Sequence, residues 1–166
     1  EAERNAIGIY EVTVDTTNRK DEQWYINTNV SYGVESNKAV GSYGTATAKA
    51  HADTLYTAQD ETDGKGTEGE VKSRGLKYNL IQNIKRQAAG ILQDTDWYVV
   101  RKADAGTAVP SAITTHRAAV RTKAAEMETA ITNAADTPAL ETLYTYTRQE
   151  DGSVTRPLGK LPTLDS

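Results

Sequence analysis

Two histidines, two aspartates flanking a single threonine and one acidic, glycine-rich stretch are the groups here whose types and spacing could support chemistry. His51 and His116 fall in different predicted helices, and no acid is spaced to bring three ligands onto one metal, so packing or surface roles are expected for both. Asp94 and Asp96 could serve as acid and base inside a pocket. They stand instead where a predicted helix ends, a position at which carboxylates terminate and cap. In the stretch DETDGKGTEGE, setting Gly64 at the turn of a calcium loop puts Glu61, Asp63 and Glu70 at ligand positions. Gln59 then occupies the first position, where an aspartate is required. The same stretch lacks the GxxxxGK[ST] order of a phosphate-binding loop, and no GxSxG elbow occurs. With no cysteine, thiolate chemistry, disulfides and cysteine zinc sites are excluded. No catalytic, cofactor-binding or metal-ligating residue is expected, and no cofactor.

Composition narrows the partners. A net charge of −4 argues against nucleic-acid binding, which needs concentrated Lys and Arg. The charge is uneven: residues 1–75 carry 13 acidic and 8 basic side chains, net −5, and residues 76–166 carry 10 and 11, net +1. Only 37% of residues are hydrophobic, phenylalanine is absent, and nine tyrosines and two tryptophans supply the aromatic mass. Tyrosine favours half-buried and interfacial positions, because its hydroxyl needs a partner. A chain so composed gains from burying surface against other proteins. No apolar run approaches the roughly 20 residues of a membrane span, and no basic-then-apolar leader opens the sequence. These patterns predict a soluble chain that uses neither a membrane nor a signal-peptide route.

The elements that must position any site follow from periodicity. Residues 7–14 and 24–32 alternate at period two, with Trp24, Ile26, Thr28, Val30 and Tyr32 on one face, and the polar DTTNRKDEQ between them predicts an antiparallel hairpin with a long loop. The alanine-rich TATAKAHADTLYTAQDE predicts a helix covering that hairpin. Residues 60–75, acidic and nearly devoid of apolar side chains, read as a linker. Leu76, Leu80, Ile81, Ile84, Ala88, Ile91 and Leu92 form the strongest helical stripe, over 76–93. A second long helix is predicted from about 111 to 134, and a short third one opens at DTPALETLY with Thr137 as cap. Asp151-Gly152 then signals a type I′ hairpin before an irregular proline-rich tail. The expected fold class is α+β: a β-rich lobe over 1–59 made of an antiparallel hairpin and a covering helix, a linker over 60–75, and a helical-hairpin lobe with a C-terminal β-hairpin over 76–166.

Between the two long helices lies DTDWYVVRKADAGTAVP, residues 94–110. Val99 and Val100 favour an extended turn, ADAG permits a reversal, and Pro110 suits the start of the next helix. In an antiparallel helical hairpin, Asp94 or Asp96 would reach Arg117, and Trp97 would plug the gap between the helices. Loss of a tryptophan so buried would cost roughly 3–5 kcal/mol. An ordinary hairpin corner accounts for the same residues without any function.

Thr95-Asp96-Trp97, then Arg101, Pro110, Arg117 and Arg121, with His116 where a tyrosine and Val120 where a leucine is usual, resembles the "TDW … P … YR..LR" signature of tailed-bacteriophage tail fibre assembly proteins and related phage virion proteins. The resemblance covers roughly residues 76–133. It implies a non-enzymatic virion structural protein, tail or tail-fibre associated, made in the bacterial host cytoplasm. The implied partners are other phage structural subunits, tail or fibre proteins, with further copies of the chain itself as candidates. Alternative functions are a tail fibre assembly chaperone and, third, a small surface hydrolase or glycan-binding protein. The expected interaction residues are Asp96, Trp97, Arg101, Pro110, Arg117 and Arg121 in the helical module and Trp24, Tyr25 and Tyr32 in the strands.

Overall fold

The computed structural model describes residues 2–36 and 38–164 and has an α+β fold. It divides into two units, Glu1–Lys49 and Ala50–Ser166, so the boundary falls before the acidic segment and not within it.

In the first unit, a short helix α1 (Ala2–Ala6) precedes β1 (Val12–Asp15), β2 (Tyr25–Ile26), β3 (Val30–Glu35), β4 (Lys38–Tyr43) and β5 (Thr47–Ala48). The hairpin expected between residues 7–14 and 24–32 does not form. β3 instead turns directly into β4, with Ser36 in the left-handed region at φ 48°, and β1 joins β4 in parallel to give the order β1-β4-β3. Closing two residues is entropically cheaper than closing nine, so the local hairpin wins. The polar segment folds on itself. Asp15 Oδ1 accepts from the Thr17 amide at 2.8 Å, the Lys20 amide donates to Asn27 Oδ1 at 2.9 Å, and Asn27 Nδ2 returns a bond to the Lys20 carbonyl at 2.8 Å. That capture of Asn27 breaks the 24–32 alternation into β2 and β3. Trp24 and Tyr25, placed on opposite faces by the alternation, are both buried, while Ile26 is exposed.

The second unit opens with extended chain where a covering helix was expected: β6 (Thr54–Leu55), a brief α2 (Ala58–Thr62) and β7 (Val71–Ser73), with β6 and β7 antiparallel. Tertiary bonds override the helical propensity of the alanines. The carbonyls of Ala50 and His51 accept the amides of Leu76 and Lys77, both at 3.0 Å, so the segment ahead of β6 satisfies the start of the next helix. Asp53 accepts from the Gly75 amide at 2.8 Å and from Arg74 at 2.6 Å, and these bonds hold its carboxyl below the usual aspartate range. A Cβ on Gly75 would run into the Ala52 backbone, which accounts for glycine there. Residues 60–75 are not a linker, because Asp60 organises them. It closes a capping box with Thr57 and pairs with Lys72 Nζ at 2.9 Å. Asp63, one of the tested calcium ligands, binds Lys65 at 2.8 Å and Gln59 at 2.8 Å.

The helical stripe folds as expected into α3 (Leu76–Gln93), followed by α4 (Asp96–Ala105), α5 (Ser111–Asn133) and α6 (Thr137–Tyr144). Lys77 Nζ donates to the Thr132 carbonyl at 2.8 Å and Lys85 approaches Glu128 at 3.5 Å, so α3 and α5 run antiparallel. Leu80, Ile84 and Ala88 of α3 are buried along with Ile113, Val120, Ala124, Met127 and Ile131 of α5, spaced to share one face of each helix. Each large aliphatic taken fully out of water contributes about 1.5–3 kcal/mol. Asp136, not Thr137, caps α6 by accepting from the Ala139 amide at 2.8 Å, and Thr137 is buried. β8 (Thr147–Arg148) and β9 (Val154–Thr155) form the C-terminal hairpin. Of its turn residues only Gly152 has positive φ, at 82°, so the turn is not type I′, which needs two. The tail has no regular structure past Thr155, yet Leu158 is buried and its amide donates to the Leu143 carbonyl at 3.0 Å.

Asp60 sets a pH dependence. Lys72 above all, then the Thr57 amide, lowers its pKa from 3.8 to about 2 against the effect of desolvation. A folded-state value below the unfolded one stabilises fully above the unfolded pKa and is lost as pH falls between them. Order in the 54–73 segment should therefore fall as pH drops from 3.8 to about 2. The amide resonances of Gly64, Gly66 and Gly69 report it directly. Asp60→Asn should show the acid-state spectrum already at neutral pH, and an unchanged neutral spectrum would contradict this role.

Candidate functional site

The segment read as an irregular joint is mostly helix. α3 ends at Gln93, and α4 begins after the two intervening residues Asp94 and Thr95 and runs to Ala105, so Val99 and Val100 are helical. Gly106 stops α4 in the left-handed conformation at φ 68°, its amide donating to the Lys102 carbonyl. Residues 107–110 then lead into α5, with Pro110 just ahead of its first residue and the Pro110 carbonyl accepting from the Thr114 amide at 3.0 Å.

One side chain ties these pieces together. Arg117 reaches out of the first turns of α5, is buried itself, and donates from Nη1 to the Leu92 carbonyl at 2.8 Å and to Thr95 Oγ1 at 2.7 Å. Its Nη2 pairs with Asp96 Oδ1 at 2.8 Å, so of the two candidate acids it is Asp96 that Arg117 takes, while Asp94 remains exposed. The Leu92 carbonyl also accepts from the Thr95 amide at 3.1 Å and the Thr95 hydroxyl at 3.0 Å. Thr95 precedes α4 but gives that helix no side-chain cap, because its hydroxyl is occupied between Leu92 and Arg117. Charge placement is favourable at both ends: a cation meets the last carbonyls of α3, and a carboxylate stands in the first turn of α4.

Trp97 does not plug the gap. It is 51% exposed, because on a helix it falls on the face opposite the Thr95 and Arg117 contact. Its ring lies 3.9 Å from that of Tyr98, and the Arg101 guanidinium stacks over both, at 4.6 Å from the first and 5.5 Å from the second. Arg101 Nε is buried there with no hydrogen-bond partner among the described residues. With exposed Val100 beside them, these side chains make an aromatic, cationic and apolar surface suited to a protein partner. Arg121 lies one turn beyond Arg117 yet is exposed, on the rim of an open groove of about 530 Å³ that Ala88, Ala124 and Glu128 also line. Of the expected strand residues, Trp24 and Tyr25 are buried and only Tyr32 is open. Lys20 Nζ sits 4.5 Å over the Tyr25 ring.

Sequence reasoning missed Thr95 as the hydrogen-bonding centre; His116, expected to pack or lie on the surface, is buried beside Arg117 on α5. The i, i+3 spacing of His116 from the apolar Ile113 could have placed it on the buried face. The Leu92 carbonyl is backbone, which residue type cannot signal. Among the described residues, no three or more His, Asp or Glu side chains group as a metal site, and no helix is long and apolar enough to cross a membrane. No protein-family model matches the chain, and no curated protein or solved structure matches it.

Arg117→Ala should cost about 2–3 kcal/mol in urea unfolding, since hydrogen bonds to a charged group are each worth roughly 1.5–3 kcal/mol. Asp96→Ala, which removes only the exposed partner, should cost about 1 kcal/mol or less. Equal losses would mean that the ion pair and not the carbonyl contact does the work. Trp97→Ala should lower stability by less than about 1 kcal/mol, as for surface positions generally. A loss in the range of a buried aromatic would restore the plug.

Proposed function

We propose that the chain is a non-enzymatic bacteriophage virion structural protein, tail or tail-fibre associated, that acts through protein contacts after synthesis in the host cytoplasm. The observation that carries this reading is the way the residues of the Thr95-Asp96-Trp97 … Arg117 pattern divide. Thr95 and Asp96 bind Arg117 and fix the corner, and Trp97 and Arg101 stack on its outer side. A pattern in which three residues hold a corner and two stack as an aromatic–arginine pair on its outer side suits a docking module. Tryptophan, tyrosine and arginine are the side chains that most often dominate binding energy at interfaces. The partners are tail or fibre subunits, and no nucleic acid, membrane or cofactor enters the proposal.

Mass spectrometry of purified particles, with copies counted against a major tail protein, tests it. The chain should be present at a fixed stoichiometry. If it is absent from particles but co-purifies with fibre protein from infected cells, it is an assembly chaperone and the structural reading fails. A Trp97→Ala/Arg101→Ala double variant should fold normally and be lost from particles by tenfold or more. Full incorporation would remove the exposed stack from the account.

A further inference from the structure

Two residues separate α3 from α4, and one of them is still helical. Asp94 lies in the right-handed region at φ −59° and ψ −21°, whereas Thr95, at φ −115° and ψ 4°, departs from helical values by about 50° in each angle. The break therefore rests on a single residue. Around it the hydrogen bonds shorten: the Thr95 amide donates to the Leu92 carbonyl and the Tyr98 amide to the Thr95 carbonyl, each three residues back, where a continuous helix uses the fourth. What occupies the Leu92 carbonyl accounts for the change. It accepts from the Thr95 hydroxyl at 3.0 Å and from Arg117 Nη1 at 2.8 Å, and in an unbroken helix it would accept from the amide of Asp96. A side chain inserted into the helical ladder, with a threonine hydroxyl bonded back to the same carbonyl, bends a helix.

The residues around the break have the pattern of one helix. Thr95 is buried and follows Ala88 by seven residues, two helical turns, so the buried face of Leu80, Ile84 and Ala88 runs on through it, and Val99 comes one turn later. No glycine or proline occurs from Ile91 to Ala105. Continuing the register in which Lys85 meets Glu128 brings Val99 alongside the first turn of α5. Residues 106–110 suffice to close such a hairpin: they reach up to about 20 Å, antiparallel helices pack roughly 8–10 Å apart, and connections of this length are ordinary between helices.

We propose that Arg117 is a latch, and that α3 and α4 have a second state, a continuous helix over residues 76–105, which they enter when Arg117 leaves the Leu92 carbonyl. The Asp96 amide then takes over that carbonyl. Fusion needs no new helical nucleus, since both segments are already wound. It gives up little packing, because no residue of α4 is fully buried. α4 is thereby an arm with two settings, and the stacked Trp97, Tyr98 and Arg101 travel with it. A partner that binds these side chains more tightly in the straight setting draws the equilibrium that way by the difference between its two affinities. The proposal concerns the helices alone and stands whether or not the chain belongs to a virion.

Because the chain has no cysteine, a spin label can be placed near each end of the segment through Asn79→Cys/Ala103→Cys, at two exposed positions. Unbroken helix would set these two backbone positions about 36 Å apart, and a kink brings them closer. With Arg117 present the shorter distance is expected. Arg117→Ala should move the main population to the long distance, while the Thr95 Cα resonance shifts to its helical position. Thr95→Ala, which keeps the arginine, should bring up the same long population, and it decides the matter if Arg117→Ala does not fold. Asp96→Ala leaves the bonds to Leu92 in place and should stay at the short distance. A long distance already present in the chain with all three residues intact overturns the proposal. So does a broad spread of distances in Arg117→Ala and Thr95→Ala, which would mean that α4 swings free or unwinds, and so does an unchanged distance in both.

Discussion

The second unit depends on a cation placed where a helix ends. The last carbonyls of α3 have no amide partners within the helix, and the next residues must reverse direction to begin α4. Arg117 resolves both demands from a third helix: it accepts no bond, donates several in a fixed planar fork, and so holds a carbonyl, a hydroxyl and a carboxylate at once. A lysine at this position would offer a point charge without the fork. Because Arg117 projects from α5, the same contact fixes the antiparallel partnership of α3 and α5 at one end, and Lys77 reaching the Thr132 carbonyl fixes it at the other. The apolar residues between these ends, Ile84, Val120, Met127 and Ile131 among them, then pack in one register.

Once the inner side of the corner is occupied in this way, its outer side is left to other purposes. α4 buries none of its own residues. A ten-residue helix with no fully buried residue gains little from the fold, and it persists because its two ends are held, by Asp96 at the start and Gly106 at the stop. The stacked Trp97, Tyr98 and Arg101 are thus presented on a fixed backbone. The first unit makes the comparable choice in β structure, with an apolar sheet face left open. Both features agree with a composition poor in core residues and rich in tyrosine, which leaves apolar surface outside the core.

How far this was legible in the sequence follows from how local each signal is. The stripe from Leu76 to Leu92 delivered α3 over its whole length, and the helical hairpin put Asp94 or Asp96 within reach of Arg117, of which the structure takes Asp96. The α+β class and the C-terminal hairpin were readable too. Other features depended on distant partners. The alanines of 46–52 read as helix because propensity is a property of single residues, but the carbonyls of Ala50 and His51 are claimed by the start of α3. The acidic stretch read as a linker because its few apolar residues hide the anchoring of Asp60 by Lys72. The strand pairing went astray on Asn27, whose side chain binds the Lys20 backbone and splits an otherwise even alternation. Trp97 was placed inside by residue type alone. The face that it occupies depends on the segment being a helix, which the two valines and the flanking glycine disguised.

The central claim is that Arg117 and Thr95 act together in closing the end of α3. A double-mutant cycle with Arg117→Ala and Thr95→Val, followed by urea unfolding, measures this coupling apart from the cost of each replacement. Residues within one hydrogen-bond network couple by roughly 0.5–3 kcal/mol, and the account predicts a value of at least about 1 kcal/mol for this pair. Additive losses would show that the two side chains stabilise the corner separately, and the claim of a single shared contact would be wrong.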